Sequence, residues 1–389
     1  MTRARHLGPA WLVGRTWLVL GLALGAQACT SFQDVSTVVD LRVLAVEADP
    51  PDVFLKITGL PIDPTTPPDP TALRIDPASI PTIHLTPLLV DPPAAAAGRA
   101  VTWSLSACPN DTLGAAPPGS VMGGGMDPGG GANNTVGSTL CDDARVRLSP
   151  IPGQFAAGDT ADVQLSPDDL LTAFETDVYR DQYGNFHGGF DLGMPLNLQV
   201  TATDGVQMVK AVKRVVFWAR TFPDQKLNQI PTIPSVSVFG SRDEATFDLM
   251  GPMGTLDPKM PAHAPLDTGL WLLPTFVDGV TGETYRPTII DRDPPYGAIE
   301  GDPTDERIRY AYYATAGHFD PPRTVDQLVP GTTGTIHLES HYVPPATLDG
   351  VPVDAATGLH LVDVWIVVRD DRGGESWVTG RIALDPPAP

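Results

Sequence analysis

Positive charge is scarce in this chain, cysteine is scarcer, and only one apolar run is sustained. Against 46 Asp and Glu stand 25 Lys and Arg, a formal net charge of −21 over 389 residues. A surface this acidic repels phosphate backbones, which argues against a nucleic-acid partner. Three cysteines are too few for a disulfide-dense mini-scaffold, and none stands in a C-x-x-C pair, the usual thiol redox arrangement. The apolar run from Trp17 to Ala26 is about half the roughly 20 residues that a membrane-spanning helix needs. Nucleotide loops of the forms GxxxxGK[ST] and GxGxxG are missing. So are the G-x-S-x-G elbow of serine hydrolases and the helical H-E-x-x-H zinc motif.

What is present begins with an export leader. Arg3, Arg5 and Arg15 flank or precede the apolar run, and Ala26-Gln27-Ala28 brings small residues up to Cys29. This order reads as a signal peptide over residues 1–28. The cysteine at the cleavage point is expected to take up diacylglycerol through its sulfur, making Cys29 a lipidated (palmitate-bearing) anchor. Ala26 stands where a lipobox usually has Leu, and Ala26-Gln27-Ala28 is also an ordinary A-x-A cleavage site, a second route of export. Thr30, in place of an Asp, favours sorting to the outer membrane. Removing the leader leaves 22 basic against 46 acidic side chains, a net charge of −24. Residues 29–37 then form the lipidated terminus and a short leash.

Proline (42) and glycine (38) make up about a fifth of the chain, which predicts short strands joined by many turns. Period-two alternation recurs in VVDLRVLAVEADPP, TIHLTPLLV, VTWSLSAC, ADVQLSP and PLNLQVTATDG. The Asp204-Gly205 turn leads into VQMVKAVKRVVFWA and predicts a hairpin. One helix is expected from Ser166-Pro167 to about Glu175, with Ser166 and Asp169 closing a capping box. The polar, proline-spaced stretch TFPDQKLNQIPTIP marks a boundary, after which the alternation restarts. Each half opens with a short strand, carries a central strand with an inward aromatic (Trp103, Tyr310) and closes with a long Asp/Gly hairpin. The expected class is all-β, with two immunoglobulin-like β-sandwich domains. Residues 38–222 form the first, with a Gly/Pro-rich insertion at 109–140. A linker spans 223–234, and the second sandwich covers 235–389. Cys108 and Cys141, in an exported chain, are expected to form one disulfide at the base of that insertion.

DLRVLAVEADPPDV shortly after the leader, TWSLSACP, YYATAGHFDPPRT and VWIVVRDDRGGESW resemble segments of outer-membrane lipoproteins of myxobacteria and related predatory or fruiting bacteria. The resemblance spans both halves and rests on strand and turn signatures. It implies an outer-membrane lipoprotein with Ig-like domains, and it brings no catalytic residue.

Two constellations are candidates for metal chemistry. Asp291, Asp293, Glu300, Asp302, Asp305 and Glu306 in DRDPPYGAIEGDPTDE offer hard oxygen ligands for weak calcium binding, although the spacing matches no calcium loop and a solvated acidic loop reads the same way. His337, Glu339 and His341 share one face of a strand, where two imidazoles and a carboxylate suit zinc, a pattern that a solvated strand face also shows. A further acidic knot, Asp177, Asp181 and Asp191, sits among aromatics and glycines. The Asn110 and Asn133 sequons are read as chance. No cofactor is otherwise implied. The expected function is that of a non-catalytic envelope lipoprotein, a structural or protein/glycan-interaction module with the membrane as one partner. The alternatives are an accessory subunit of an envelope transport or motility complex, or a metal-dependent hydrolase with a site built from distant loops.

Overall fold

The computed structural model describes residues 34–60, 71–109, 151–177, 193–219, 226–275, 283–286, 288–291, 297–326 and 337–385, with 66, 69, 141, 148, 179–180 and 186–187. The leader, Cys29, nearly all of the 109–140 insertion, Asp181, Asp191 and Asp293 lie outside them. The protein is all-β: strands dominate, in four principal sheets and several two-stranded ribbons. No helix of the described residues is long and apolar enough to cross a membrane.

Sheet I runs in the order Asp52–Leu55, Met208–Ala219, Met194–Thr203, Thr102–Pro109, Phe155–Ala156. The hairpin expected at Asp204-Gly205 is its centre, paired antiparallel from Met194↔Phe217 to Thr203↔Met208. Sheet II is Arg42–Asp49, Ile83–Val90 and Ala161–Val163. Sheet III is Ala262–Pro265, Glu375–Asp385, His360–Arg369, Arg309–Ala314 and Arg323–Val325. Sheet IV is Leu249–Thr255, Ser235–Arg242, Leu270–Thr275, Ser340–Val343 and His318–Asp320.

Three apolar layers stack these sheets in the order I, II, III, IV. Val43, Val46, Ile83 and Leu85 of sheet II meet Trp103, Leu198, Val200 and Phe217 of sheet I in the first core. Tyr310, Tyr312, Val364 and Ile366 of sheet III meet Val236, Leu272, Phe319 and Tyr342 of sheet IV in the second. The middle layer joins sheet II to sheet III through Leu44, Ala45, Leu88 and Val90 against Tyr313, Trp365 and Val367. Sheet III is therefore apolar on both faces. That is why Trp365-Ile366-Val367-Val368 is a continuous hydrophobic run instead of an alternation. Burying each such side chain contributes about 1.5–3 kcal/mol. Trp103 is fully buried, and its indole N–H donates to the Ala156 carbonyl at 2.9 Å, so its one polar atom is satisfied.

The expected helix runs Pro167–Asp177, two residues past the expected end. The Ser166 hydroxyl and amide both donate to Asp169, and the Asp169 amide donates back to Ser166. A second, short helix, Pro92–Ala97, was not expected from the sequence; Asp91 caps its start and Gly98, left-handed at φ 66°, its end. Cys108 and Cys141 form a disulfide. Two turn glycines admit no other residue. An added Cβ would sit 2.0 Å from the Tyr342 carbonyl oxygen at Gly269 (φ 66°), and 2.4 Å from that of Val343 at Gly317 (φ 70°).

Candidate functional site

Among the described residues, a set of charged groups meets at the tip of the last hairpin, Asp370-Asp371-Arg372-Gly373-Gly374. Asp370 builds the tip itself, accepting the amides of Arg372 at 2.9 Å and Gly374 at 2.7 Å. A Cβ on Gly374 would stand 2.1 Å from the Asp370 carboxylate, so the second glycine of the pair is required for close approach. The turn thrusts Arg372 against the first half of the chain. Its guanidinium lies 3.1 Å from Asp52, 3.2 Å from Glu306 and 3.6 Å from Glu283, donates to the Lys226 carbonyl at 3.2 Å, and stacks 4.6 Å from the Tyr285 ring. Buried Asn228 bridges the acids, its amide N–H on Asp52 at 2.9 Å and its side chain on Asp370 at 3.1 Å. The stretch expected to be a linker is thus built into this junction.

A second ion cluster joins Lys213 of sheet I to Glu375 and Arg369 of sheet III. Glu375 takes Lys213 at 3.2 Å and Arg369 at 2.5 Å, while Arg369 also donates to the Leu44 carbonyl at 2.6 Å. Burial alone would raise the Glu375 carboxyl, but the charges of Arg369 and Lys213 outweigh it and hold it below the usual range. The Arg372 cluster behaves in the opposite way. Burial, with the Asp370 charge adding to it, lifts Glu306 to about 7 despite Arg372. Burial also raises Asp52 and Asp370, against the opposing pull of Arg372 on the first and Asn228 on the second. One guanidinium therefore serves more acids than it can fully compensate.

Of the acid-rich loop, Glu306 is turned inward as a partner of Arg372. It also accepts the Glu283 amide at 3.3 Å, so it is a junction residue rather than part of an open ligand set. Asp305 is exposed and accepts the Thr284 hydroxyl at 2.6 Å; Asp302 is exposed nearby. Asp291 and Glu300 lie on the paired strands Thr288–Asp291 and Gly297–Glu300. The backbone of Asp177 ends the Pro167–Asp177 helix.

His337, Glu339 and His341 lie on sheet IV and its lead-in. His337 is 2.9 Å from Glu339, whose carboxylate is covered by Arg242 at 3.5 Å. His341 turns elsewhere: its Nε2–H donates to the Thr268 carbonyl at 2.8 Å, and its ring stacks on Trp271 with centroids 4.7 Å apart. Arg242 covers the same indole at 3.9 Å and also approaches Phe247 at 5.1 Å. The registers Phe239↔Trp271 and Trp271↔His341 set this row across three strands. Among the described residues no group of three or more His, Cys, Asp or Glu is placed to hold a metal ion.

Sequence reasoning placed Asn228 in the linker and Arg372 in a hairpin turn, and gave Asp52 no role. The available signal was an arginine between aspartates and a Gly-Gly pair at a hairpin tip, in a chain with few cations. Beside this junction runs a groove of about 670 Å3, lined by Pro50, Asp52, Phe54, Ser79, Lys226 and Leu227 among others. It follows the edge strand Asp52–Leu55, whose Phe54 is half-buried and whose other three residues are buried. Comparison with protein-family models, with curated proteins and with solved structures returns no match to this chain.

Proposed function

We propose that this chain is an exported lipoprotein of the cell envelope, held in the outer membrane through Cys29. Its body acts as a non-catalytic structural module that presents a surface to a protein or glycan partner. Each sheet pair, I with II and III with IV, is read as an immunoglobulin-like sandwich. The observation that carries the reading is the Arg372 junction. The charged side chains that meet here are engaged in locking one half of the chain onto the other, which suits a rigid presenter. Support for export comes from the leader sequence and from the Cys108–Cys141 disulfide, which belongs to an oxidising compartment. The likeness to myxobacterial lipoproteins points the same way. The partner surface we assign is the groove along Asp52–Leu55, where apolar Phe54 and Leu227 flank polar Lys226 and Ser79.

A photo-crosslinking residue placed at Leu227 or Ser79 in the producing cell tests this. Both positions are expected to trap one discrete envelope component, and the same probe at Met260 is not. Equal trapping from all three positions, or turnover of a substrate lost on altering groove residues, would overturn the assignment.

A further inference from the structure

The strands of sheets II and III run alongside one another, and two contacts fix their alignment. At one end, the Val38 amide donates to the Ala314 carbonyl at 2.8 Å and the Ala314 amide returns a bond to Ser36 at 2.8 Å. Further along, the Leu44 carbonyl meets Arg369. The strand Arg42–Asp49 then continues toward Asp52 and the Arg372 junction. The body therefore has two poles, and residue 36 enters it at the pole opposite Arg372. The entry is firmly seated: Ser36 Oγ accepts the Phe319 amide at 2.9 Å, and the Thr37 hydroxyl donates to the Gly317 carbonyl at 2.5 Å.

The loops that share this entry pole can be read from the registers. Leu41 is tied to Gln207, which places the Asp204–Gln207 turn there. Arg42↔Val90 places the helix Pro92–Ala97 there as well. In the second half, Val353 bridges His360, the first residue of its strand, beyond the Ala314↔Val364 pair. From these separate loops project Val39 (46 % exposed), Val206 (74 %), Met208 (66 %) and Val353 (55 %). Exposed Pro93 and Ala95 to Ala97 lie among them. Two acids at this pole are ion-paired, Asp204 with Arg99 at 2.6 Å and Asp40 with Arg42 at 2.9 Å, and Asp354 accepts the Thr357 hydroxyl at 2.8 Å, while Asp267 and Asp349 at the same end are exposed. These side chains come from different layers, Val206 and Met208 from the hairpin of sheet I, Val39 ahead of sheet II and Val353 ahead of sheet III, but the four apolar ones share one end, where a flat lipid surface can meet them together.

We infer that this pole rests on a lipid bilayer, with Val39, Val206, Met208 and Val353 at the headgroup–acyl boundary and the Arg372 groove directed away. The inference builds on the proposed anchor at Cys29. Seven residue steps separate Cys29 from Ser36, a reach of at most about 25 Å when fully extended. The ten-residue strand His360–Arg369 alone is about 33 Å long. A leash this short keeps the entry pole near the lipid and leaves the other pole out of its range. Apolar side chains on an end already tethered gain interfacial contact with no new association step.

The test uses the full lipidated protein in phosphatidylcholine vesicles whose acyl chains carry nitroxide quenchers. An environment-sensitive fluorophore is attached to M208C, V353C or, at the opposite pole, L227C. The expected result is co-flotation of all three, with several-fold stronger quenching at 208 and 353 than at 227. Co-flotation with no more quenching at 208 and 353 than at 227 overturns the docking and leaves the anchor standing. Failure to float overturns the anchor, and the docking with it.

Discussion

Arg372 Nη2 lies 3.1 Å from Asp52 Oδ2 across 320 positions of sequence, tying the last hairpin tip to the first edge strand of sheet I. Arg372→Met removes the cation shared by Asp52 and Glu306 and leaves the buried Asp52 carboxylate without its ion partner. The expected loss is about 3–5 kcal/mol, read from urea unfolding near neutral pH. The double variant D52N/R372M is expected to regain part of it, because one stranded charge is gone. A loss no greater than that of a surface substitution would mean the junction is dispensable.

The raised Glu306 carboxyl makes stability depend on pH in a stated direction. Its folded value of about 7 exceeds the ordinary 4.5, so between the two the folded chain binds the proton more tightly than the unfolded chain. The contribution is fully present below 4.5 and is lost as pH rises through 7. Glu306→Gln removes that loss. The variant is expected to match the parent near pH 4 and exceed it at pH 8, by up to roughly 3 kcal/mol. Urea midpoints across that range check it, and parallel pH profiles would contradict it.

Reducing the Cys108–Cys141 bridge opens a loop of 33 residues. On the chain-entropy account this costs roughly 3–4 kcal/mol. Tm is expected to fall in reductant, and C108S/C141S should show the same fall without it. An unchanged Tm in reductant, with thiol counting that finds both cysteines freed, would show the bridge to be energetically idle.

Zinc is expected to leave Tm unchanged. His341 is committed to the Thr268 carbonyl and the Trp271 face, and Glu339 is held by His337 and Arg242. A zinc-dependent rise in Tm that disappears in H337A/H341A would show that the strand rearranges into a metal site.

The sequence disclosed the parts of the fold that are local. Alternation marked Leu196-Leu198-Val200-Ala202 as one buried face, Asp204-Gly205 marked its hairpin, and Ser166-Pro167 marked the helix start. What it did not disclose was the stacking of sheet II on sheet III. Only the unbroken Trp365–Val368 run, apolar where alternation was expected, betrays a sheet covered on both sides. The junction was equally hidden. An Arg between aspartates looks like any polar turn until Asn228 and Asp52, far away in the chain, are brought against it. The zinc reading of His337, Glu339 and His341 followed from strand spacing alone, which puts side chains on one face without fixing their rotamers. Trp271, on the neighbouring strand, captures His341.

The anchored-lipoprotein account is tested most directly by mass spectrometry of the mature amino terminus. The account expects a chain that begins at Cys29, with its sulfur carrying diacylglycerol. An intact Met1, or a mature chain whose residue 29 is unmodified, would contradict it.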